Sequence, residues 1–300
     1  MAKIPVVMVH GYSDRGESFE PWAKKLRENG YEVVDVNVVT YESLTNEVTI
    51  KDIAEAFDRA LKKNPRLDKD QPFDAIVHST GMLVVRAWLT AKDSEARRKR
   101  IKRLIGFAPA TWGSPLAHKG RGWLGAIFKG NKKEGPDFLE AGDLILDGLE
   151  LGSKFTWDLA NVDLFDHGNV FYGRKPNTPY PFIFVGNEAY GGLRKIVNTT
   201  AMDGTVRWAG VALQSRKITM DLTRPADSQI QRMTSTEWTG EFDTPVIFVD
   251  ERNHGSITWM LIFSPGWSMK PGSMWPMTDP RLPGRTTMTA RPRVLTGVAL

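Results

Sequence analysis

The segment IVHSTGM, residues 76–82, decides the fold because it joins a buried strand to a helix through a single tight turn. An apolar, β-branched run leads directly into Ser79, and an apolar helical pattern begins at Met82. A serine at such a turn is lifted clear of the sheet. The next backbone N–H is left free at a helix N-terminus, where the helix dipole favours negative charge. The segment therefore predicts a nucleophilic serine, and the alternative is a serine that only caps a helix.

The residues around Ser79 match the usual pattern of a nucleophilic serine except at one position. The pattern is G-x-S-x-G, but Val77 replaces the first glycine. A small residue normally stands there because the strand and the helix approach each other closely. Val77 therefore raises a question about the geometry of this turn.

Strand and helix patterns alternate outward from this segment. Buried-strand patterns, which are short apolar and β-branched runs, occur at residues 4–9, 31–39, 73–78, 101–108, 181–185 and 245–249. Apolar residues at helical spacing occur at residues 17–29, 49–63 and 82–90. Strands that alternate with helices are joined by right-handed crossovers, which place helices on both faces of a parallel sheet. The sequence therefore predicts an α/β fold with a mostly parallel sheet of about six strands.

The alternation breaks between residues 111 and 180, where Gly and Trp interrupt the sequence and no strong strand pattern occurs. A chain of 300 residues has the length of one large domain that carries an insertion. We therefore assign the core to residues 1–110 and 181–263, and a cap or lid to the insertion at residues 111–180. Residues 264–300, rich in Pro, Gly, Arg, Met and Trp, are predicted to form a C-terminal arm.

The composition excludes several classes of protein. Hydrophobic residues make up 41% and charged residues 25%, which is ordinary for a globular protein and excludes a disordered or collagen-like chain. No apolar run approaches the roughly 18 residues that a membrane span requires. The absence of cysteine excludes disulfides, thiolate zinc sites and a cysteine nucleophile. The net charge of +5 does not by itself indicate nucleic-acid binding.

The densest charge run is basic and spans residues 96–103. We interpret it as the solvated end of a helix that leads into a strand, because cations are favourable at a helix C-terminus. No aromatic residues are interleaved with these cations, as they would be in many nucleic-acid sites. A nucleic-acid or membrane-surface patch is the alternative.

The N-terminus lacks the features of a secretory signal peptide. Its apolar run is too short, and no small-residue cleavage site follows it. We therefore expect a cytoplasmic protein, and the alternative is a secreted protein whose mature form begins here.

The chain contains five histidines, at positions 10, 78, 118, 167 and 254, so the search for a general base is short. His78 adjoins Ser79 in sequence, but strand alternation turns it toward the other face. His254 lies in a polar loop after the final core strand. Reactive groups in parallel sheets stand in such loops, at the carboxyl ends of the strands. His254 is therefore the candidate base for Ser79.

An acid that orients this histidine is expected between Ser79 and His254 in the chain, after the penultimate strand. Asp203 falls in that position, and it also fits the N-cap of a helix predicted over residues 205–213. Asp250, on the same loop as His254, is the main alternative.

The end of the first strand supplies a candidate for the remaining part of an active site. Gly11 lets the chain turn away from the strand, so the next backbone N–H, that of Tyr12, can point inward. Together with the N–H of Thr80, it would form an oxyanion hole for a developing negative charge.

Four separated motifs in this order resemble the α/β-hydrolase superfamily, and within it lipases and esterases. These motifs are His10-Gly11 at the end of the first strand, the turn at Ser79, Asp203-Gly204 after a late strand, and His254-Gly255 near the end. The resemblance covers most of residues 4–263. It implies the α/β-hydrolase fold with an inserted cap.

The resemblance also implies a serine hydrolase that cleaves carboxylic esters, as an esterase or lipase, through an acyl-enzyme. Ser79 would be the nucleophile, His254 the base and Asp203 the acid that orients it. The backbone amides of Tyr12 and Thr80 would hold the oxyanion, and no metal or organic cofactor is needed. An amidase, peptidase or thioesterase would use the same triad. A non-catalytic hydrolase scaffold that acts as a binding protein is the alternative from a different class.

The insertion contains the candidate substrate contacts. They are Trp112 and an apolar stripe flanked by basic residues, formed by Trp123, Leu124, Ile127 and Phe128. A lid that opens toward lipid has this pattern, and so does a cap that packs on the core. The expected partner is a small-molecule or lipid ester, with a transient contact to a lipid interface and no nucleic acid. The sequence leaves the oligomeric state open.

Overall fold

The computed structural model describes residues 4–11, 19–36, 48–67, 71–117, 143–166, 168–191, 199–215, 217–221, 223, 233–235 and 244–259. The strands in these residues are β1 (Val6–Val9), β2 (Val33–Val36), β3 (Phe73–His78), β4 (Ile101–Phe107), β5 (Tyr180–Gly186), β6 (Ile218–Met220), β7 (Met233–Ser235) and β8 (Val246–Val249). Six of them form one parallel sheet in the order β2-β1-β3-β4-β5-β8. The predicted α/β fold with about six parallel strands is confirmed. The short antiparallel β6–β7 ribbon was not predicted.

The inner strands β1 and β3 are buried along their whole length. A parallel strand that is covered by helices on both faces buries both sets of side chains, so β1 is apolar without alternation. Because β3, β5 and β8 run in the same direction, their carboxyl ends emerge at one edge of the sheet. The loops that begin at this edge carry the candidate site.

The helices flank this sheet. They are α1 (Glu20–Glu28), α2 (Ile50–Lys63), α3 (Gly81–Thr90), α4 (Ser94–Arg100), α5 (Asp143–Leu149) and α6 (Lys154–Asp163). α2 begins with a capping box, in which Asp52 accepts from the Thr49 N–H at 2.7 Å and donates its own N–H to the Thr49 hydroxyl at 3.2 Å. α3 is buried on nearly every side because it packs against β3, α2 and α6. The helices predicted from apolar spacing are therefore confirmed, with small shifts at their ends.

The basic run at residues 96–103 forms the end of α4 and the start of β4, as predicted. Two of its arginines are buried rather than solvated, which corrects the sequence interpretation. The Arg98 guanidinium lies 4.5 Å from the centre of the Phe171 ring. The Arg100 guanidinium donates to the carbonyl of Leu67. These two cations therefore attach α4 to neighbouring loops inside the protein.

The described part of the insertion packs on the helical layer, with α5 against α2 and α6 against α3. The Arg86 guanidinium of α3 forms a fully buried, bidentate ion pair with Asp163, with N–O distances of 2.7 and 2.8 Å. Arg86 also donates to the Thr111 carbonyl, and the Tyr172 hydroxyl donates to Asp163 at 2.8 Å. Burial raises the pKa of Tyr172 well above its ordinary value, so the hydroxyl retains the proton that it donates.

The proposed boundaries between core, cap and arm stay predictions. Residues 118–142 of the insertion and the whole arm at residues 264–300 lie outside the described residues. In the part of the chain that the structure describes, no helix is both long and apolar enough to cross a bilayer.

Candidate active site

Ser79 occupies a strained turn between β3 and α3. Its φ angle is +52°, in the left-handed region that non-glycine residues rarely adopt. α3 begins at Gly81, where a Cβ atom would lie only 2.4 Å from the carbonyl oxygen of Val9. The chain can therefore make this close approach to β1 only with glycine. Backbone strain of this kind is concentrated at functional sites.

The question raised by Val77 is answered on the neighbouring strand. Val77 is fully buried in β3, and its partner in β4 is Gly106. A Cβ atom on Gly106 would lie 3.1 Å from the terminal methyl group of Met82, in the first turn of α3. The close approach of helix and sheet is therefore accommodated at Gly106, and the turn forms with valine two residues before Ser79.

Ser79, His254 and Asp203 form a continuous chain of hydrogen bonds. The Ser79 Oγ lies 3.0 Å from the His254 Nε2, and the His254 Nδ1 lies 3.0 Å from the Asp203 Oδ2. All three side chains are buried, with at most 1% of each residue exposed. Because a carboxylate accepts hydrogen bonds, the Nδ1–H of the imidazole donates to Asp203 and leaves Nε2 to accept from the serine hydroxyl. This is the tautomer that a general base requires.

Asp203 is held by the turn that follows it. Its Oδ1 accepts hydrogen bonds from the backbone N–H groups of Thr205 and Val206 at 3.0 and 2.9 Å. The helix predicted over residues 205–213 is wrong, because this part of the chain contains only a 3₁₀ turn at Trp208–Gly210. The capping prediction was correct in its chemistry: Asp203 satisfies backbone donors, although the turn does not continue into a helix.

The alternative acid, Asp250, has a different hydrogen-bond partner. Its exposed carboxylate accepts a hydrogen bond of 2.6 Å from the Asn187 side chain. The carbonyl of Asp203 also accepts the backbone N–H of His254 at 2.9 Å, so main chain and side chain join the same two residues. The geometry therefore favours Asp203 over Asp250 as the partner of His254.

His78 contacts His254 in a way that the sequence did not predict. The His78 Nε2 lies 2.9 Å from the backbone carbonyl oxygen of His254 and donates its hydrogen to it. The two imidazole rings are 4.9 Å apart between centres, and His78 is only 6% exposed. His78 therefore supports the backbone of His254, while the Nε2 of His254 itself contacts the serine.

The loop that carries Asp203 is held by the side chains of Ser114 and Tyr190. The Ser114 hydroxyl donates to the Thr205 carbonyl at 2.6 Å, and the Tyr190 hydroxyl lies 3.1 Å from the Thr205 hydroxyl. The Tyr190 ring also covers Gly204, where a Cβ atom would lie 2.6 Å from it. Sequence reasoning missed Ser114 and Tyr190, because no sequence pattern marks hydrogen bonds within an irregular loop or to a residue 91 positions away.

The candidate oxyanion donors are only partly described. Gly11 lies against Ser79, since a Cβ atom on Gly11 would be 2.9 Å from the Cβ of Ser79. Tyr12, the residue that follows, lies outside the described residues. Thr80 precedes the first residue of α3, where backbone N–H groups have no acceptor within the helix. The roles of Tyr12 and Thr80 in an oxyanion hole stay predictions.

Of the candidate substrate contacts, Trp112 is described. Its ring packs with Trp157 and Phe165, at centroid distances of 5.4 and 6.3 Å. This cluster joins the start of the insertion to α6. A substrate contact at Trp112 stays a prediction, and the rest of the predicted stripe, Trp123, Leu124, Ile127 and Phe128, lies outside the described residues.

The parallel sheet, the strained turn after β3 and the buried contacts at its carboxyl edge define the α/β-hydrolase fold, as in lipases and esterases. Among solved structures, the chain is similar to the phospholipase PlaB from Legionella pneumophila, with 26% sequence identity and a TM-score of 0.63. That match covers 82% of this chain and 52% of the phospholipase. The chain therefore spans about half the length of that protein.

A second similar structure is the mature form of the lipase BlEst2 from Bacillus licheniformis. It has 16% sequence identity and a TM-score of 0.56, and the match covers 86% of this chain and 87% of the lipase. At this identity, the likeness concerns the fold. No protein-family model matches the chain, and no curated protein matches it significantly.

Proposed function

We propose that the chain is a serine hydrolase that cleaves carboxylic esters through an acyl-enzyme. The observation that carries this proposal is the hydrogen-bonded chain from Ser79 through His254 to Asp203, with distances of 3.0 and 3.0 Å. These residues follow parallel strands of an α/β-hydrolase sheet, at the edge where such folds bind their ligands. The structural likeness to a phospholipase and a lipase supports an ester-hydrolysing function.

The proposed reaction has two halves. His254 removes the proton of the Ser79 hydroxyl as its oxygen attacks the ester carbonyl, and Asp203 stabilises the resulting imidazolium. The carbonyl oxygen becomes an oxyanion, held by the backbone amides of Thr80 and Tyr12. His254 then gives the proton to the departing alcohol. In the second half, His254 removes a proton from a water molecule as its oxygen attacks the acyl carbonyl. The bond to Ser79 then breaks, His254 returns the proton to the serine oxygen, and the acid product leaves.

The proposed substrate is a small-molecule or lipid ester with an apolar acyl chain. The likeness to a phospholipase supports this class. Because the chain spans about half of that phospholipase, the activity of the whole protein is not transferred to it. A transient contact with a lipid interface through residues 123–128 belongs to the same proposal.

A labelling experiment tests the nucleophile. A fluorophosphonate probe should label the wild-type protein, and Ser79→Ala should abolish the label. Ser94→Ala, which changes a serine at the start of α4, should leave labelling intact. Activity against a series of p-nitrophenyl esters from acetate to palmitate then defines the acyl preference.

Three outcomes overturn the proposal. A wild-type protein that is unlabelled and hydrolyses no ester supports the scaffold alternative. Turnover of amides or thioesters, but not of oxygen esters, moves the activity to an amidase or a thioesterase. A label that persists in Ser79→Ala places the nucleophile at another residue.

A further inference from the structure

The side-chain hydroxyl of Thr80 is buried without a hydrogen-bond partner. Thr80 is 3% exposed, and among the residues that the structure describes its Oγ1 contacts no donor or acceptor. An unsatisfied buried hydroxyl destabilises the folded state, so such groups are rare in native proteins. This hydroxyl belongs to the residue directly after Ser79, where a bound ester would approach.

The Thr80 hydroxyl does not cap α3, although capping is the usual structural role of a threonine that precedes a helix. Thr80 is the N-cap of α3, yet its side chain makes no capping hydrogen bond. The nearby backbone donors already have acceptors: the N–H of Met82 donates to the Ser79 carbonyl at 3.2 Å, and the N–H of Leu83 donates to the Thr80 carbonyl at 2.9 Å. The hydroxyl is therefore not needed to begin the helix.

Covalent geometry allows this hydroxyl to approach the proposed oxyanion. The Oγ1 of a threonine is three bonds from its own backbone nitrogen, so the two atoms lie within about 4 Å in every rotamer. The proposed function assigns the N–H of Thr80 to the substrate carbonyl oxygen. A substrate oxygen that accepts this N–H at about 3 Å can therefore also come within hydrogen-bonding distance of the Thr80 hydroxyl.

We propose that the Thr80 hydroxyl is a further donor to the oxyanion, in addition to the amide of Thr80. As Ser79 attacks, the carbonyl oxygen gains negative charge and accepts the hydroxyl hydrogen without taking the proton. The hydrogen bond weakens again when the carbonyl re-forms. This inference rests on the proposed function and adds a donor to the same site.

The test compares two substitutions at Thr80. Thr80→Val keeps the shape and removes the hydroxyl, and its kcat on a p-nitrophenyl ester should fall about 10²-fold with little change in KM. Thr80→Ser keeps the hydroxyl and should stay within about threefold of the wild type. The thermal midpoint of Thr80→Val should equal or exceed that of the wild type, because an unsatisfied buried group has been removed.

A matched control is available at Thr244, whose buried Oγ1 also has no partner among the described residues. Thr244→Val should keep the kcat of the wild type. A trifluoromethyl ketone, which forms a charged tetrahedral adduct with a serine nucleophile, should bind Thr80→Val more weakly by the same factor as the loss of kcat/KM.

Two results overturn the inference. One is a Thr80→Val variant with the kcat of the wild type. The other is a Thr80→Val variant in which kcat and thermal midpoint fall together while inhibitor affinity is unchanged. If the wild-type protein itself hydrolyses no ester and is not labelled at Ser79, the proposed function fails instead.

Discussion

The turn at Ser79 and the loop that carries Asp203 are built in opposite ways. Ser79 is placed by its own neighbours: a buried strand, a strained φ angle of +52° and a glycine that fits against β1. Asp203 lies in an irregular loop that is held by Ser114, which is 91 residues from its partner Thr205, and by Tyr190, which is 15 residues from the same partner. The position of Ser79 therefore depends on backbone shape, and the position of Asp203 depends on polar side-chain contacts. The two regions should respond differently to substitution.

The largest effect is expected at the turn. In Gly81→Ala, the added methyl group would lie 2.4 Å from the Val9 carbonyl oxygen, so β1 and α3 must move apart. The free energy of unfolding should fall by about 4–5 kcal/mol, and ester hydrolysis should be lost. Urea denaturation and a p-nitrophenyl ester assay measure the two effects. Gly191→Ala is the control and should behave as the wild type, because no atom of the described residues would lie within 4 Å of the added methyl group.

The next largest effect is expected at the acid, without loss of the fold. Asp203→Asn keeps an oxygen for the two backbone donors but removes the charge that orients His254, so kcat should fall about 10⁴-fold. The circular dichroism spectrum and thermal midpoint should stay close to those of the wild type. Asp250→Asn should retain full activity, because its exposed carboxylate contacts Asn187. The reverse pattern would transfer the role to Asp250.

A smaller effect is expected from the residue that holds the acid loop. Ser114→Ala removes the 2.6 Å hydrogen bond to the Thr205 carbonyl and lets the loop shift. Because small displacements of catalytic groups slow chemistry strongly, kcat should fall about 10- to 100-fold, with KM nearly unchanged. The kcat of ester hydrolysis and the rate of fluorophosphonate labelling should fall by a similar factor. An increase in KM at constant kcat would indicate that Ser114 shapes the substrate pocket instead.

The smallest effect is expected at His78. His78→Phe removes the donor to the His254 carbonyl and should lower kcat about tenfold, which corresponds to one ordinary hydrogen bond. His78→Gln offers an amide N–H in place of the ring donor and should recover most of the activity. If both variants match the wild type in kcat, the contact between the two histidines has no role in positioning His254.

The same contrast explains which features the sequence predicts. The six strands of the main sheet and the helices α1 to α3 were predicted because their patterns are local, and so was the turn at Ser79. The helix predicted over residues 205–213 was wrong, because hydrogen bonds from Thr111 and Ser114 hold that apolar segment in an irregular loop. Buried Arg98 was misjudged for the same reason, since its partner Phe171 lies 73 residues away in the chain (171 − 98).

The buried ion pair between Arg86 and Asp163 has a consequence for protein engineering. Arg86 belongs to α3, the helix that follows Ser79, while Asp163, Thr111 and Tyr172 belong to the proposed insertion. Leaving a buried guanidinium without its carboxylate typically costs about 3–5 kcal/mol. Chimeras that exchange the insertion with another hydrolase, or minimal variants that delete it, must therefore carry these three partners along with Arg86 or replace all four together.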